Sequence, residues 1–231
     1  MRILLRLVLL LIVVFPVAGS ELWDRAIDIF DRNSDLIPGR LHAYFVQFNG
    51  RGHLVSETEA EYEISLDENG EMVSELVYMR ENGEAADGDA DAGSGASSSP
   101  DGGGNAFGGL DLSPFDPEQQ GVVSVGREGM TERIGDQIAV AIPYRHQTND
   151  EATVEGTAWL SVEDGTPLRL VYTLDPLPRF VDRFEVVQEF TTDENRWMLT
   201  SVSFEADGHI LFVRRRIESR MEFSNYFRAP E

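Results

Sequence analysis

The chain has 231 residues, no Cys and a formal net charge of −22 at pH 7. Without Cys it forms no disulfides, so its stability must come from a packed core, for which the chain is long enough. The acid excess argues against non-specific binding to nucleic acid or to anionic membranes, because both need a basic surface. All 19 basic residues are Arg. High-GC coding bias would explain this pattern, and a saline habitat, in which salt screens the self-repulsion, would be a further cause of the acidity.

The first 20 residues have the pattern of a secretory signal peptide. Arg2 and Arg6 precede an apolar run from Leu7 to Phe15, and small residues follow as far as Ser20. This order predicts export across the inner membrane, with cleavage between Ser20 and Glu21. An uncleaved anchor is the alternative, although the run is shorter than the roughly 18–20 apolar residues of a spanning helix.

The mature chain begins with one predicted helix and continues with many predicted strands. From Glu21 to Leu36, apolar residues recur at about the 3.6-residue period of an amphipathic helix. The later segments alternate apolar and polar residues, which is typical of strands with one buried face. The predicted strands are Leu41–Phe48, His53–Asp67, Met72–Arg80, Val122–Gly126, Gln137–Tyr144, Ala152–Val162, Leu168–Thr173, Arg183–Thr191, Arg196–Glu205 and His209–Phe223.

Evenly spaced strands without intervening helices predict one antiparallel, strongly twisted sheet. A sheet of more than about ten strands tends to curl or split. We therefore predict a mainly β (α+β) fold, a strongly curved open β-barrel of about 11 strands with an N-terminal helix. Short helical lid segments are expected at Leu112–Gln120 and in the Pro-rich loop Asp175–Phe180. A sheet face that these segments cover only in part forms a cavity for an apolar ligand.

Residues 84–109 interrupt the strand pattern, because they are almost all Gly, Ala, Ser, Asp and Asn. They cannot bury enough apolar area to offset the entropy of ordering, so we predict a disordered acidic insertion in a single domain spanning 21–231. Alternate aspartates from Asp87 begin like a calcium loop, but Ala92 and Ser98 stand where that loop needs Gly and Glu.

The sequence contains no pattern that predicts catalysis. No nucleophile, P-loop or dinucleotide motif is present, and the four His residues have no metal-ligand spacing. A carboxylate pair of a hydrolase would be hidden among the many acids, so hydrolysis stays as a third hypothesis. We predict a protein that is not an enzyme, with no catalytic residue, cofactor or metal.

The strand predicted at His209–Phe223 has the clearest one-sided pattern. Its odd positions from Leu211 are mostly apolar, and its even positions from Arg214 are charged. Arg215 falls on the apolar face, where it reaches the cavity edge, pairs with an internal carboxylate, or anchors a phosphate or carboxylate headgroup. A β-bulge near Gly208 would reverse this assignment.

Two short motifs lie within this order of elements. Leu41, Ala43, Phe45 and Gln47 stand in an F-x-A-x-F-x-Q-like first strand, and Gly165–Leu168 is similar to a TG-x-P-L-type turn. Over about residues 21–224, the chain resembles the periplasmic outer-membrane lipoprotein carrier (LolA/LolB-like) superfamily. The acidic insertion stands where the carriers have an aromatic-rich strand. The resemblance implies an eleven-stranded open barrel in the periplasm, lidded by helices, that holds acyl chains.

We predict a monomeric carrier or chaperone that binds an acylated ligand, a lipoprotein or a lipid, in outer-membrane lipoprotein sorting. It would contact inner- or outer-membrane components transiently and bind no nucleic acid. The alternative is a sensor or interaction module of the same fold, which binds an envelope protein through its acidic surface or the insertion. The predicted ligand-binding residues are Tyr44, Val46, Phe48, Tyr62, Ile64, Tyr78, Phe184, Val186, Leu211 and Val213, with Arg215 at the rim.

Overall fold

The computed structural model describes residues 21–85, 113–148, 152–194, 196–210 and 213–229. The predicted signal peptide, all of the predicted insertion except its first two residues, and Leu211 lie outside these ranges. The described residues form one α-helix, one 3-10 helix and 14 strands. No helix in the described ranges is both long and apolar enough to cross a membrane.

Helix α1 (Glu21–Arg32) opens the described chain. Its first turn carries Glu21 and Asp24, whose charges suit the positive end of the helix dipole. Trp23 and Ala26 are buried on its apolar side. The helix ends four residues before the predicted limit at Leu36 because the chain turns there to pair with its own C-terminal end.

The strands follow α1 with short connections. Most predicted strands are present, with ends displaced by a few residues, and four short strands were not predicted: β1, β5, β7 and β14. The bounds are β1 Leu36–Ile37, β2 Arg40–Asn49, β3 Leu54–Leu66, β4 Met72–Glu81, β5 Glu84–Ala85, β6 Val123–Val125, β7 Thr131–Ile134, β8 Gln137–Gln147, β9 Thr153–Ser161, β10 Pro167–Asp175, β11 Val181–Asp193, β12 Arg196–Ile210, β13 Val213–Ser224 and β14 Phe227–Arg228.

Twelve of these strands form one antiparallel sheet. Its order is β5-β4-β3-β2-β13-β12-β11-β10-β9-β8-β6, and β7 pairs with β8 beside β6. The sheet is curled but not closed, so the predicted mainly β open barrel with an N-terminal helix is confirmed. Strands β1 and β14 form a separate two-stranded pair.

The inner face of the sheet is the face on which α1 packs. Directly paired residues of neighbouring strands share a face, so the register identifies the whole surface. The core cluster joins residues of this face to residues of α1 and to Phe115, which precedes the 3-10 helix. Its members are Trp23, Ala26, Leu41, Ile64, Phe115, Val140, Ile142, Tyr144, Val154, Ala158, Leu160, Leu170, Tyr172, Val186, Val202 and Phe223. The opposite surface is called the outer face below.

The structure differs from the sequence prediction in three connecting segments. Glu84, which the sequence assigned to the insertion, pairs with Glu81 in a β5–β4 ladder. The predicted lid helix is a 3-10 helix over Pro117–Val122, where Asp116 accepts a hydrogen bond from the backbone N of Glu118 at 2.8 Å. The loop before β11 contains no helix.

The last hairpin also differs from its prediction. β12 continues to Ile210, and β13 begins only at Val213, so His209 lies on β12 and not on the final strand. The register nevertheless runs without a shift from Ile210 opposite Val213 to Ser201 opposite Glu222. No bulge reverses the faces at Gly208, and the predicted alternation along β13 therefore holds.

Candidate ligand-binding face

The inner face carries the apolar core cluster, and α1 covers only one end of this face. Leu41 belongs to the core beneath α1. Phe45 lies four residues further along β2, about 13 Å away, and it is 38% exposed. Its ring contacts Phe204 edge-to-face at 6.3 Å, and Phe204 lies 6.3 Å from Phe184. Three aromatic rings from three strands thus remain partly open at the end away from α1.

A cavity of about 260 Å³ lies at the other end, beneath the C-terminal half of α1. This volume is just below the range of about 300–1,000 Å³ that is usual for small-molecule pockets. Phe190 stacks on Trp197 at 4.6 Å, and Phe30 of α1 meets Trp197 edge-to-face at 6.2 Å. These three aromatic residues line the cavity. The other residues that line it are Asn33, Ser34, Leu36, Pro38, Met72, Ser113, Gln188, Met198, Leu199, Phe223 and Tyr226.

The few polar groups around this cavity are neutral and hydrogen-bonded. The Tyr226 hydroxyl donates to the carbonyl oxygen of Leu199. Gln188 is buried, and its Nε2 donates to the Tyr172 hydroxyl at 3.3 Å. Burial raises the pKa of Tyr226, and it raises the pKa of Tyr172 to about 12, so both phenols keep their protons at neutral pH. The cavity thus suits an uncharged, largely apolar occupant.

Four of the predicted ligand-binding residues lie on the inner face. Ile64 and Val186 are part of the core cluster, and Tyr62 and Phe184 pack against it. Tyr62 pairs with Leu41 across the β2–β3 ladder, which confirms that it shares the face of the core. None of the four lines the cavity beneath α1.

Four other predicted residues lie on the outer face, so their placement in the same cavity was wrong. Tyr44 pairs with Arg220 and Glu59, Val46 with Glu218 and Glu57, and Phe48 with Arg216. Tyr78 pairs with Glu61, and its hydroxyl donates to Glu59 Oε1 at 2.9 Å. Tyr44 and Val46 line a hollow of about 360 Å³ whose rim is charged, and Phe48 lines a charged cleft of about 990 Å³.

The sequence of β2 and β4 explains these errors. Both faces of β2 carry large apolar side chains, and the small Ala43 sits on the buried one, so alternation alone does not identify the inner face. The ladder between β3 and β4 shifts register by one residue between Glu61 and Tyr62 of β3. That bulge places Leu76 and Tyr78 on opposite faces, although both are even-numbered.

Arg215 lies at the end of the sheet, not inside it. Arg215 pairs with Gly208, so Arg215 and Val213, two residues before it, are on the side of β13 that continues the inner face. Both side chains are nevertheless exposed. The Arg215 Nη1 donates to the carbonyl oxygen of Arg214 at 3.2 Å. Within the described ranges, Arg215 makes no ion pair with a carboxylate, so the predicted internal pairing is not observed. The remaining predicted residue, Leu211, lies outside the described residues.

Sequence reasoning missed the residues that form the cavity and the open aromatic group. Phe190, Trp197 and Leu199 fall near a register shift in β11 and β12, and this shift hides their common face. Phe204 and Phe45 do keep a simple alternation with buried neighbours, so this signal was present but was assigned to the wrong face in β2. Among the described residues, no three His, Asp or Glu side chains lie close enough to hold a metal ion.

No protein-family model matches the sequence, and a search of curated proteins gave no match. Among solved structures, the chain is similar to a putative outer membrane lipoprotein-sorting protein domain from Vibrio parahaemolyticus, at 10% identity over 89% of this chain and 93% of the other, with a TM-score of 0.40. It is similar to a LolA superfamily protein from Nitrosomonas europaea at 10% identity over 89% and 94%, also with a TM-score of 0.40.

A further similarity is to the MucA/MucB complex of Pseudomonas aeruginosa, at 13% identity over 89% of this chain and 99% of the other, with a TM-score of 0.24. The resemblance predicted from the sequence thus recurs among these structures. At such identities and TM-scores, the similarities say nothing about what this chain binds. The open, curled sheet described above rests on its own strand order.

Proposed function

We propose that this protein is an exported, periplasmic carrier that binds the acyl chain of a lipid or lipoprotein on its inner face and performs no chemistry. The observation that carries this proposal is the incomplete cover of an apolar face. α1 covers one end, beside a cavity of about 260 Å³, and Phe45 remains 38% exposed at the other end. A group of exposed aromatic side chains on a sheet face is unfavourable in water, and such a group is typical of a surface that a ligand covers.

An acyl chain fits this surface because it needs no polar partner. The inner face is lined by aromatic and aliphatic side chains, and the phenols beside the cavity stay neutral. Each methylene group moved from water onto such a surface contributes about 0.8 kcal/mol, which is about a fourfold gain in affinity. The length of the acyl chain would therefore be the main determinant of the affinity.

The test is a binding series with fluorescent fatty acids of increasing chain length, added to the delipidated exported protein. We expect one site whose affinity rises about fourfold per methylene until the face is filled. Native mass spectrometry of the protein as purified would show whether an acyl species accompanies it. A protein that neither carries nor takes up such a chain would contradict the proposal.

β2 offers a matched pair of variants for this test. Phe45 and Phe48 are the same residue type on one strand, but Phe45 is on the inner face and Phe48 on the outer. We expect Phe45→Ser to weaken fatty-acid binding at least tenfold, since it removes a large apolar contact. Phe48→Ser should leave binding unchanged. Equal effects of the two variants would place the ligand elsewhere.

A second candidate function is docking of an envelope protein, and β4 favours it. Met72, Val73, Leu76, Val77 and Tyr78 of this strand are 37–49% exposed, and they lie on both of its faces. Within the described residues, β5 pairs only with the last two residues of β4. An apolar strand near a sheet edge with free backbone groups is a docking site for an extended segment of another protein.

Site-specific photo-crosslinking in the periplasm tests this second candidate. Val77 and Ile138 are both 49% exposed, and they lie on different parts of the sheet, which makes Ile138 a matched control. A discrete protein adduct from position 77, with none from position 138, would support docking on β4. Deletion of residues 84–109 should abolish the adduct and spare fatty-acid binding if the insertion contributes to the partner site.

A further inference from the structure

One end of this acidic protein is basic. Arg51, Arg214 and Arg215 line a single cleft of about 440 Å³ where the β2–β3 turn meets the start of β13. All three side chains are exposed. Within the described residues, none of the three makes an ion pair, whereas the neighbouring Arg183 and Arg216 do. Positive charge is thus concentrated at this end.

Most of the acids near this cleft are already engaged in ion pairs. Asp182 lies 2.8 Å from the Nδ1 atom of His209. Glu205 contacts Arg183 at 3.3 Å and Arg216 at 3.1 Å. The neighbouring Glu218 also pairs with Arg216, at 2.8 Å. Asp207 is in register with Arg183 and Arg216, but within the described residues it makes no ion pair. Within the part of the chain that the structure describes, no ion pair neutralises the charges of Arg51, Arg214 and Arg215.

Exposed apolar side chains stand beside these arginines. Val213 is 51% exposed and directly precedes Arg214. Phe180 is 47% exposed, and the guanidinium of Arg179 lies 4.7 Å from the centre of its ring. The carbonyl oxygen of Phe180 accepts a hydrogen bond from the backbone N of His209 at 2.9 Å, which attaches this loop to the β12–β13 end.

We propose that this basic end docks on an anionic lipid surface. Charge complementarity carries the inference: guanidinium groups fit phosphate oxygens, and within the described residues no carboxylate forms an ion pair with Arg51, Arg214 or Arg215. Exposed Phe and Val side chains next to arginines are the combination that binds at the boundary between headgroups and acyl chains.

The large negative charge of the whole chain does not prevent this contact. At physiological ionic strength, electrostatic interactions between exposed charges decay over about 8 Å. Acids on the rest of the molecule therefore act weakly at the docked end, and they orient the protein by disfavouring every other approach. The arginines should contribute about fivefold each to partitioning onto an anionic bilayer.

The first experiment is flotation of the exported protein with vesicles of phosphatidylcholine, with and without phosphatidylglycerol. We expect binding only when phosphatidylglycerol is present, and we expect it to weaken as salt is raised from low ionic strength to about 150 mM and beyond. Absence of binding to phosphatidylglycerol vesicles at low salt would overturn the proposal. Equal binding to both vesicle types would also overturn it, because it would show no role for lipid charge.

A pair of triple variants separates a local site from overall charge. Arg51→Gln/Arg214→Gln/Arg215→Gln removes the basic cleft and should lower partitioning roughly 100-fold. The control is Arg25→Gln/Arg32→Gln/Arg228→Gln. It removes two charges from α1 and one from β14, which pairs with β1. It should bind the vesicles like the parent protein. Similar losses in both variants would overturn the proposal.

Fatty-acid uptake is measured in the same variants to keep this inference distinct from the proposed carrier function. None of the substituted residues lines the inner-face cavity, so both triple variants should keep the rise of affinity with acyl-chain length. Vesicle binding without fatty-acid uptake would sustain the docking surface and contradict the carrier. Fatty-acid uptake without vesicle binding would sustain the carrier function and contradict the docking surface.

Discussion

Gly156 and Tyr144 face each other across the β8–β9 ladder, and the Tyr144 ring fills the space into which a side chain at position 156 would project. A Cβ atom on Gly156 would lie 2.7 Å from Cζ of Tyr144. Tyr144 is only 3% exposed and its ring meets Trp23 of α1 at 5.9 Å. This glycine thus allows the ring to lie flat on β9 beneath the helix.

Replacement of Gly156 should therefore loosen the contact between α1 and the sheet. We expect Gly156→Ala to lower the free energy of unfolding by about 1–3 kcal/mol, because the Tyr144 ring must move within a packed core. Urea denaturation followed by Trp fluorescence measures this change. Gly121→Ala is the control, since a Cβ there meets no atom within 4 Å, and a similar loss in both variants would contradict the prediction.

Acid should destabilise the protein through His146. This side chain is 1% exposed, and within the described residues its two ring nitrogens have no hydrogen-bond partner. Burial lowers its pKa, while the charge of Asp116 acts more weakly in the opposite direction. The unfolded chain therefore takes up a proton near pH 6.5, where the folded protein does not, and stability falls as pH drops below that value.

We expect His146→Leu to reduce this loss. The difference in unfolding free energy between variant and parent should grow as pH falls from about 7.5 to 5.5, by at most about 1.4 kcal/mol per pH unit. Denaturation series at several pH values measure it. His53→Leu serves as the control because His53 is exposed. A difference that does not change with pH would show that His146 has no shifted titration.

Asn33 joins the end of α1 to β12. Its Nδ2 donates to the carbonyl oxygen of Ile29 at 2.7 Å, and its Oδ1 accepts from the backbone N of Trp197 at 3.1 Å. Asn33→Ala should cost about 1–2 kcal/mol of stability, because both backbone groups lose a partner. Thermal or urea unfolding measures this cost. Ser34→Ala, which removes one exposed hydrogen bond, should cost clearly less.

The cavity beneath α1 can be filled from β12. Leu199 lines it, so Leu199→Phe should occupy part of its volume of about 260 Å³ and shorten the longest acyl chain that binds with full affinity. The fluorescent fatty-acid series measures this limit. Val187→Phe adds similar bulk to the outer-face hollow and should leave the limit unchanged. An unaltered limit in Leu199→Phe would place the acyl chain at the open end of the face instead.

Prediction from the sequence was most accurate where one face of an element is strongly polar. In β13, charged residues alternate with Ile217 and Met221, and the register confirms the predicted faces. The amphipathic helix predicted after Ser20 is also present, over Glu21–Arg32. In both elements a wrong orientation would bury several charges, so the local pattern permits one arrangement only.

The same reasoning failed where both faces carry apolar side chains. Alternation puts Phe45 and Phe48 on opposite faces of β2, but only the ladders to β3 and β13 show which of these faces is the inner one. A bulge in β4 likewise moved Tyr78 to the outer face. Such shifts depend on the partner strand, which the local sequence does not contain.

The sequence by itself determined an N-terminal amphipathic helix and a one-sided antiparallel sheet, because charge and period two leave few alternatives over a dozen short segments. Only the tertiary structure decided which residues share a surface. Trp197 and Phe30 are far apart in the chain, yet they meet where the sheet curls beneath α1. Arg51 and Arg214 likewise line one cleft. Curl and register bring distant residues together, and neither property is local to any segment.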